Sequence, residues 1–159
     1  MATAEFDDRS KLNAAAVEMA GRNWLTAQLL TRGIGVAIPA VDHGIDLIVF
    51  REVGDAGIRA LPLQLKCAKQ ESFGLHRKYE GRGIPLVYIW HVLEQPIAYF
   101  LDYAEAREAL GSATETASWR RGAYTFNRIS PALQTRLNPY RDRWSWLMSR
   151  IAAQPTSGG

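Results

Sequence analysis

Two apolar segments separated by a short turn constrain this chain more than any other feature. Residues 45–50 are apolar apart from one carboxylate, and residues 61–67 alternate leucine with other residues. That alternation is typical of a half-buried strand. Gly54, Asp55 and Gly57 lie between the segments and favour a turn. The sequence therefore predicts an antiparallel hairpin centred near Asp55, in which the numbers of opposed residues sum to about 110–112.

Three polar side chains share one edge of the predicted hairpin. In the expected register Asp46 faces Gln64 or Lys66 on one side of the sheet. The leucines and Cys67 point to the opposite side and belong to the core. A carboxylate, an amide and an ammonium at the edge of an apolar sheet are costly unless they have a function. We therefore treat Asp46, Gln64 and Lys66 as candidate functional residues.

The segment before the hairpin has helical periodicity. A helix is predicted over residues 11–32 and ends at Gly33, a candidate C-terminal cap. Its apolar residues form one broad stripe, and Glu18 lies within that stripe. We therefore expect Glu18 to point toward the sheet or its rim. The alternative is a surface glutamate at the edge of the stripe.

Composition and length indicate one soluble domain. The chain has 159 residues, enough for a sizeable core, and its net charge of +3 is compatible with a nucleic-acid partner. Its single cysteine excludes an intrachain disulfide and a cysteine-based zinc site. No long apolar run is present, which predicts a cytoplasmic protein without a membrane partner. We predict a flexible N terminus over residues 1–10, one domain over residues 11–153 and a disordered tail over residues 154–159.

The remaining segments alternate between strand and helix patterns. Strands are predicted over residues 34–39, 84–91 and 97–101, with an edge strand over residues 124–129. Helices are predicted over residues 71–79, from Asp102 to Leu110, from Ser130, and in an aromatic-rich last segment to about residue 152, with a loop over residues 112–121. The aromatic stripe of the last helix is interpreted as core. This order predicts an α/β fold with a mixed central β-sheet flanked by helices.

The candidate residues resemble a known nuclease pattern. The order of Glu18 on a helix, Asp46 on a strand and Gln64-Leu65-Lys66 on the next strand is similar to the PD-(D/E)XK nuclease superfamily, over about residues 11–91. The resemblance implies a restriction-endonuclease-like core with extra C-terminal helices. Gln64 stands where the pattern has Asp or Glu, which makes this a Gln-x-Lys variant, and the proline before the aspartate is replaced by Ile45.

The resemblance also implies roles for these residues. Asp46 is expected to be the main ligand of Mg²⁺ (or Mn²⁺), with Glu18 as the helix-borne carboxylate and Lys66 as the residue that positions or activates the attacking water. Gln64 contributes an amide oxygen without charge. Magnesium needs only one or two carboxylates, because it keeps several waters. Alternatives stay open: Asp42 as the metal ligand, Asp46 as a cap of the loop before the hairpin, and Lys66 as a solvated strand end.

The implied activity is that of a metal-dependent DNA endonuclease of the restriction, repair or mobile-element type. The alternative is a catalytically inactive nuclease-like fold that binds nucleic acid or a protein, and Gln64 keeps this alternative open. A basic rim for DNA is predicted from residues after the second hairpin strand, with two histidines as further candidates for phosphate contacts: Lys69, Arg77, Lys78, Arg82, His43 and His76.

A homodimer or higher homo-oligomer is also predicted. Cleavage of both strands of a duplex needs two active sites or two visits, and a chain of this length has one site. Two-fold symmetry would match the two antiparallel strands. The last helix and the strand over residues 97–101 are the candidate contact surfaces.

Overall fold

A five-stranded mixed sheet organises residues 12–153, the part of the chain that this computed structural model describes. Its strands lie in the spatial order β1-β2-β3-β5-β6, and of their contacts only that between β3 and β5 is parallel. The strands are β1 (Gly35–Ala37), β2 (Leu47–Glu52), β3 (Ile58–Cys67), β4 (Phe73–His76), β5 (Leu86–Trp90), β6 (Ile97–Leu101) and β7 (Ala123–Phe126). The predicted flexible N terminus over residues 1–10 and the predicted tail over residues 154–159 lie outside the described residues.

Helices cover both faces of this sheet, as the sequence predicts. They are α1 (Ala14–Leu30), α2 (Tyr103–Leu110), α3 (Ala117–Arg120), α4 (Pro131–Leu137) and α5 (Trp144–Ala152). One core cluster joins α1 and α5 to the face that carries Leu65 and Val87. The other joins α2, α3 and α4 to the face that carries Tyr88. Alternate residues of β5 enter opposite clusters, so this strand is buried on both faces, as its apolar sequence predicts.

The predicted hairpin is confirmed, and its register lies within the predicted range. Leu47 pairs with Leu63 and Val49 with Leu61 across β2 and β3. The pairing extends one residue beyond β2, because the Asp46 N–H donates to the carbonyl oxygen of Leu63 at 2.9 Å. The leucines of β3 enter the cluster under α1. The intervening polar residues of β3 therefore face the other side of the sheet.

The helix predicted over residues 71–79 is wrong. This segment forms β4, followed by a 3₁₀ turn at Arg77–Tyr79. β4 pairs with β7 as a separate two-stranded ribbon. Two side chains of β5 fasten it to the main sheet: the Tyr88 hydroxyl donates to the Gly74 carbonyl at 2.8 Å, and the Trp90 indole N–H donates to the Ser72 carbonyl at 2.6 Å. The tertiary contacts of this segment, whose residues alternate between buried and less buried positions, thus make it a strand although its composition is compatible with a helix.

Helix ends follow the local capping signals. Asp102 and Glu105 form a complete capping box at the start of α2, and Ser130 caps α4 ahead of its first-turn proline, both as predicted. The predicted loop over residues 112–121 is instead a 3₁₀ turn and the short helix α3, which is capped by the Thr116 hydroxyl. The structure also has no helix within residues 12–153 that is long and apolar enough to cross a membrane.

The aromatic stripe of the last helix is core, as predicted. Leu147 and Ile151 are fully buried, and the Trp144 ring lies 4.8 Å from the Phe100 ring. The suggestion that β6 offers an oligomer surface is wrong. This strand is buried except at its first residue, and its outer edge pairs with the segment before α5, where the Asp142 N–H donates to the Ala98 carbonyl at 2.9 Å.

Candidate functional site

A cavity of about 640 Å³ opens where the end of β3 meets α1 and the β4–β7 ribbon. Its wall contains all four residues that the sequence singles out for catalysis or metal binding: Glu18, Asp46, Gln64 and Lys66. The hairpin register places Asp46 beside Gln64, and the period of the strand places Lys66 on the same face two residues later. Chain segments from a helix, two strands and a ribbon therefore converge on one polar cavity.

Asp46 and Gln64 are joined by a short hydrogen bond across the hairpin. Gln64 Nε2 donates to Asp46 Oδ2 at 2.6 Å, and the backbone N–H of Leu65 donates to the same oxygen at 2.7 Å. Nε2 also donates to the Leu65 carbonyl oxygen at 3.1 Å. Both of its acceptors are oxygens that accept only, so this network fixes the amide with its nitrogen toward Asp46.

The carbonyl oxygen of Gln64 is left without a partner. Gln64 is 6% exposed and is the one buried polar side chain among residues 12–153. Its Oε1 atom is buried and has no hydrogen-bond partner within that part of the chain. Leaving a buried acceptor unsatisfied costs about 1–3 kcal/mol. A ligand that accepts electron pairs, such as a hard cation or a donating water, would offset this cost.

The surroundings of Asp46 disfavour the charged form of its carboxyl group. Burial raises its pKa above the ordinary value. The Leu65 N–H lowers that pKa, Asp42 raises it, and the positive charges of Lys66 and Arg22 lower it. The net direction is upward because desolvation outweighs the favourable contacts. A cation at this carboxylate would act in the opposite direction, since it stabilises the charged form.

Glu18 reaches the cavity because α1 packs closely against the end of β3. A β-carbon at Gly21, one turn after Glu18, would overlap the Cys67 Sγ atom and lie 2.9 Å from its Cβ. Glycine therefore permits this approach of the helix to the strand. Burial raises the pKa of the Cys67 thiol to about 12, and the charges of Glu18 and Asp46 add to that rise. Both carboxylates thus act on the same half-buried thiol from two different elements.

The loop before β2 is held by two contacts at the mouth of the cavity. Asp42 Oδ1 accepts the Gly44 N–H at 2.7 Å, which forms an Asx turn. Arg82 Nη2 donates to the His43 carbonyl at 3.0 Å. Gly44 has a φ of +77°, a conformation that favours glycine. The turn is therefore capped by Asp42, in the role considered for Asp46, while Asp42 also lines the cavity.

Lys66 lies over an aromatic ring at the wall of the cavity. Its Nζ atom is 5.4 Å from the centroid of the Tyr79 ring, and Lys78 Nζ is 5.1 Å from the same centroid. The pKa of His76 is lowered by burial, with further lowering from Lys66 and Lys78. Positive charge is therefore concentrated around Tyr79 in the cavity wall.

Known structures identify the fold. The solved structure of a bacterial homing endonuclease, I-Ssp6803I, matches this chain with a TM-score of 0.54 and 17% sequence identity, over 89% of this chain and 96% of that chain. This chain has a nuclease-like fold. No protein-family model matches the sequence, and no curated protein matches it. At this level of identity the likeness is one of fold, so the chemistry is argued from the cavity itself.

The donor atoms of the cavity suit a hard divalent cation. Asp46 and Glu18 offer carboxylate oxygens, and Gln64 offers its unpartnered Oε1, all of them ligand types that magnesium accepts. Within residues 12–153 no group of three or more His, Cys, Asp or Glu side chains is arranged to hold a metal ion. A cation here would therefore use the Gln64 amide oxygen and waters to complete its coordination.

The predicted basic residues divide between the cavity and its surroundings. Lys78, Arg82 and His43 line the cavity, as does His76. Arg77 and Lys69 are not part of its wall, and the Arg77 guanidinium instead lies 5.9 Å from the centroid of the Trp119 ring.

Several wall residues were missed because β4 was predicted to be helix. Gly74 and Thr125 line the cavity from the ribbon, Ser72 lines it from the residue before β4, and Tyr79 lines it from the turn that follows β4. The signal was present in the alternation of β4, where buried Phe73 and Leu75 flank Gly74. That period of two would have indicated a strand with one face toward the core.

Proposed function

We propose that this protein is a metal-dependent DNA endonuclease that hydrolyses phosphodiester bonds, of the restriction, repair or mobile-element type. We further propose that its site is a Gln-x-Lys variant of the PD-(D/E)XK pattern. Two findings support this: the nuclease-like fold, and the convergence of Glu18, Asp46, Gln64 and Lys66 in one cavity. The cavity combines oxygen ligands with basic side chains, as hydrolysis of a charged phosphodiester requires.

The observation that carries the proposal is the unpartnered, buried oxygen of Gln64, a residue that lines the same cavity as two carboxylates. Asp46, Glu18 and Gln64 Oε1 would hold Mg²⁺ or Mn²⁺. When bound, such a cation supplies charge stabilisation at phosphoryl oxygens and lowers the pKa of a coordinated water. Gln64 holds Asp46 in place by donating Nε2 to Oδ2, which leaves Oε1 available as a ligand.

Lys66 has the second role in the proposed reaction. Its ammonium is a compact charge with three donors, which suits it to bind a phosphate oxygen and to orient the attacking water. Its position on the same strand face as Gln64 brings it to the oxygen ligands. Lys78, Arg82 and His43, at the same cavity, contact the flanking phosphates of the DNA.

The deciding experiment is nicking of supercoiled plasmid DNA with Mg²⁺ or Mn²⁺. We expect cleavage that depends on the cation and is abolished in Asp46→Asn and in Lys66→Met, both of which preserve side-chain volume. Arg51→Met is the matched control, because Arg51 is exposed on β2 and lies outside the cavity wall. Cleavage that persists in Asp46→Asn, or that needs no divalent cation, contradicts the proposal.

A second function, a nuclease-like fold that binds without cutting, has one observation in its favour. Gln64 occupies a position where the nuclease pattern has a carboxylate, and residues 12–153 contain no arranged group of three acidic, histidine or cysteine ligands. DNA binding by the wild-type protein without nicking, in both Mg²⁺ and Mn²⁺, would establish this second function in place of the first.

We also propose that the active form is a homodimer or higher homo-oligomer. The buried edge of β6 cannot provide the contact, because it pairs with the segment before α5. At the opposite end of the sheet, β1 pairs on one side with β2, and the nearby Ile38 side chain is 60% exposed. Sedimentation with and without a DNA duplex tests this, and a monomer under both conditions would remove it.

A further inference from the structure

Tyr79 lines the cavity next to two of its basic side chains. It follows β4 in the 3₁₀ turn Arg77–Tyr79 and is only 3% exposed. Its ring lies close to Gly44 in the loop before Asp46, since a β-carbon on that glycine would be 3.4 Å from Tyr79 Cε1. The ring therefore packs against the loop that leads to Asp46 and β2.

Two lysine ammonium groups lie close to the same ring. Lys66 Nζ lies 5.4 Å from its centroid and Lys78 Nζ lies 5.1 Å from it, both within the range of a cation–π contact. A lysine side chain is a flexible four-carbon stem, so its ammonium samples many positions unless a contact restrains it. The negative face of an aromatic ring holds an ammonium without supplying a full negative charge.

We propose that Tyr79 is the positioning residue for Lys66, a role that rests on the nuclease function proposed above. A carboxylate partner would hold Lys66 equally well, but it would also neutralise the charge needed for a phosphate oxygen. The Tyr79 ring keeps the ammonium at the cavity wall while leaving its charge for the substrate. Its burial against the rest of the core fixes the ring, and the ring in turn fixes the ammonium.

Substitutions that keep or remove the ring test this role. Tyr79→Phe keeps the aromatic face, so we expect kcat for DNA cleavage to stay close to that of the wild type. Tyr79→Leu removes the face, and we expect kcat to fall by about two- to thirtyfold, the range that a cation–π contact provides. KM should change less than kcat, because the contact orients a reacting group instead of binding the whole substrate.

A spectroscopic measurement separates positioning from a structural effect. Protons on the terminal methylene of Lys66 should show an upfield ring-current shift in the wild type, in Tyr79→Phe and in Lys78→Met. The shift should vanish in Tyr79→Leu. If that variant fails to fold, Tyr79→Met replaces it, because methionine adapts to irregular core space. The shift in the folded wild type needs no variant at all.

The outcomes distinguish this inference from the proposed function. An absent ring-current shift in the wild type overturns the positioning role whatever the activity. A present shift together with full activity in Tyr79→Leu or Tyr79→Met also overturns it. If the wild type does not cleave DNA in either metal, the nuclease proposal fails, and a catalytic role for Tyr79 fails with it even where the shift is observed.

Discussion

Asp46 is a carboxylate that the fold stabilises poorly when it is charged. It is half-buried beside Asp42, and the hydrogen bonds from Leu65 and Gln64 do not offset the loss of solvent. Functional residues commonly reduce stability in this way, because the environment that suits a ligand or reaction differs from the one that suits the isolated protein. The stability of the protein should therefore depend on the charge at this one position.

Asp46→Asn should be more stable than the wild type at neutral pH without metal. The amide oxygen of asparagine can accept the same two hydrogen bonds, and it carries no charge to bury. Because the pKa of Asp46 is raised in the folded state, its carboxyl group binds a proton more tightly in the folded than in the unfolded protein. Protonation therefore stabilises the fold, and this stabilisation is lost as pH rises through the folded pKa. The advantage of the variant should therefore be absent below about pH 3.8 and present at pH 7.

Urea unfolding of both proteins at a series of pH values, with a chelator present, measures this difference. Asp55→Asn is the matched control, because Asp55 is exposed at the hairpin turn. A wild-type protein that is more stable than Asp46→Asn at pH 7 would mean that the hydrogen bonds to the carboxylate outweigh its burial.

Gln64→Glu should make the protein dependent on metal for its stability. In the wild type, Gln64 Nε2 lies 2.6 Å from Asp46 Oδ2. The substitution replaces this donor with a carboxylate oxygen that faces Asp46 Oδ2. Two charged oxygens at this separation repel each other, so we expect a loss of about 1–3 kcal/mol without metal. A third carboxylate should also raise the affinity for Mg²⁺. Thermal melts should therefore show a larger Mg²⁺-induced rise in Tm than the wild type, and an equal rise would contradict the assignment of Gln64 as a ligand.

At the scale of elements, the hairpin was predictable, whereas β4 and its pairing with β7 were not. The register of β2 and β3 follows from a two-residue period and a glycine-rich turn, both visible in a short stretch of sequence. That register alone brings Asp46 next to Gln64. The edge strand predicted over residues 124–129 corresponds to β7, but its pairing with β4 is not indicated by any local pattern. The segment 71–79 that contains β4 also includes good helix formers, which compete with its short alternation. The part of the cavity wall that the hairpin supplies was therefore predictable, whereas the part that the β4–β7 ribbon supplies was not.

The packing of α1 on β3 gives a prediction at the same scale. Gly21→Ala should destabilise the protein by about 1–3 kcal/mol, because the added methyl group overlaps Cys67 and the helix must move. The gain in helix propensity, about 1 kcal/mol, is too small to compensate. Cys67→Ala in the same chain removes the sulfur atom from this contact and should recover part of the loss.

Chemical unfolding of the two single variants and the double variant measures this coupling. Since Glu18 lies one turn before Gly21, Mg²⁺ affinity should fall in Gly21→Ala as well. Additive losses of stability in the double variant would show that Cys67 is not what holds the helix away from a larger side chain.

At the scale of the whole molecule, a net charge of +3 is too small to retain DNA without a local concentration of basic groups. Lys78 and Arg82 at the cavity provide such a concentration. The slope of log K against log salt should therefore be negative, and Lys78→Gln should reduce its magnitude by about 0.9, the value for one phosphate contact on duplex DNA. Arg51→Gln is the control, and an unchanged slope in Lys78→Gln would exclude a phosphate contact at this residue.

The two strand pairings that build the cavity differ in how the chain must fold to make them. Asp46 and Gln64 are 18 residues apart and meet within one hairpin, a structure that forms in about 1–10 μs. Phe73 and Phe126 meet only after the intervening strands and helices have been brought together, so their pairing closes a much longer loop. The polar residues of the hairpin therefore assemble before the β4–β7 ribbon encloses them, and the ribbon is the part expected to open first in the native state. Backbone amides of β4 should exchange with solvent deuterium faster than those of β5, and a nascent chain should present its three polar side chains to water until the ribbon has paired.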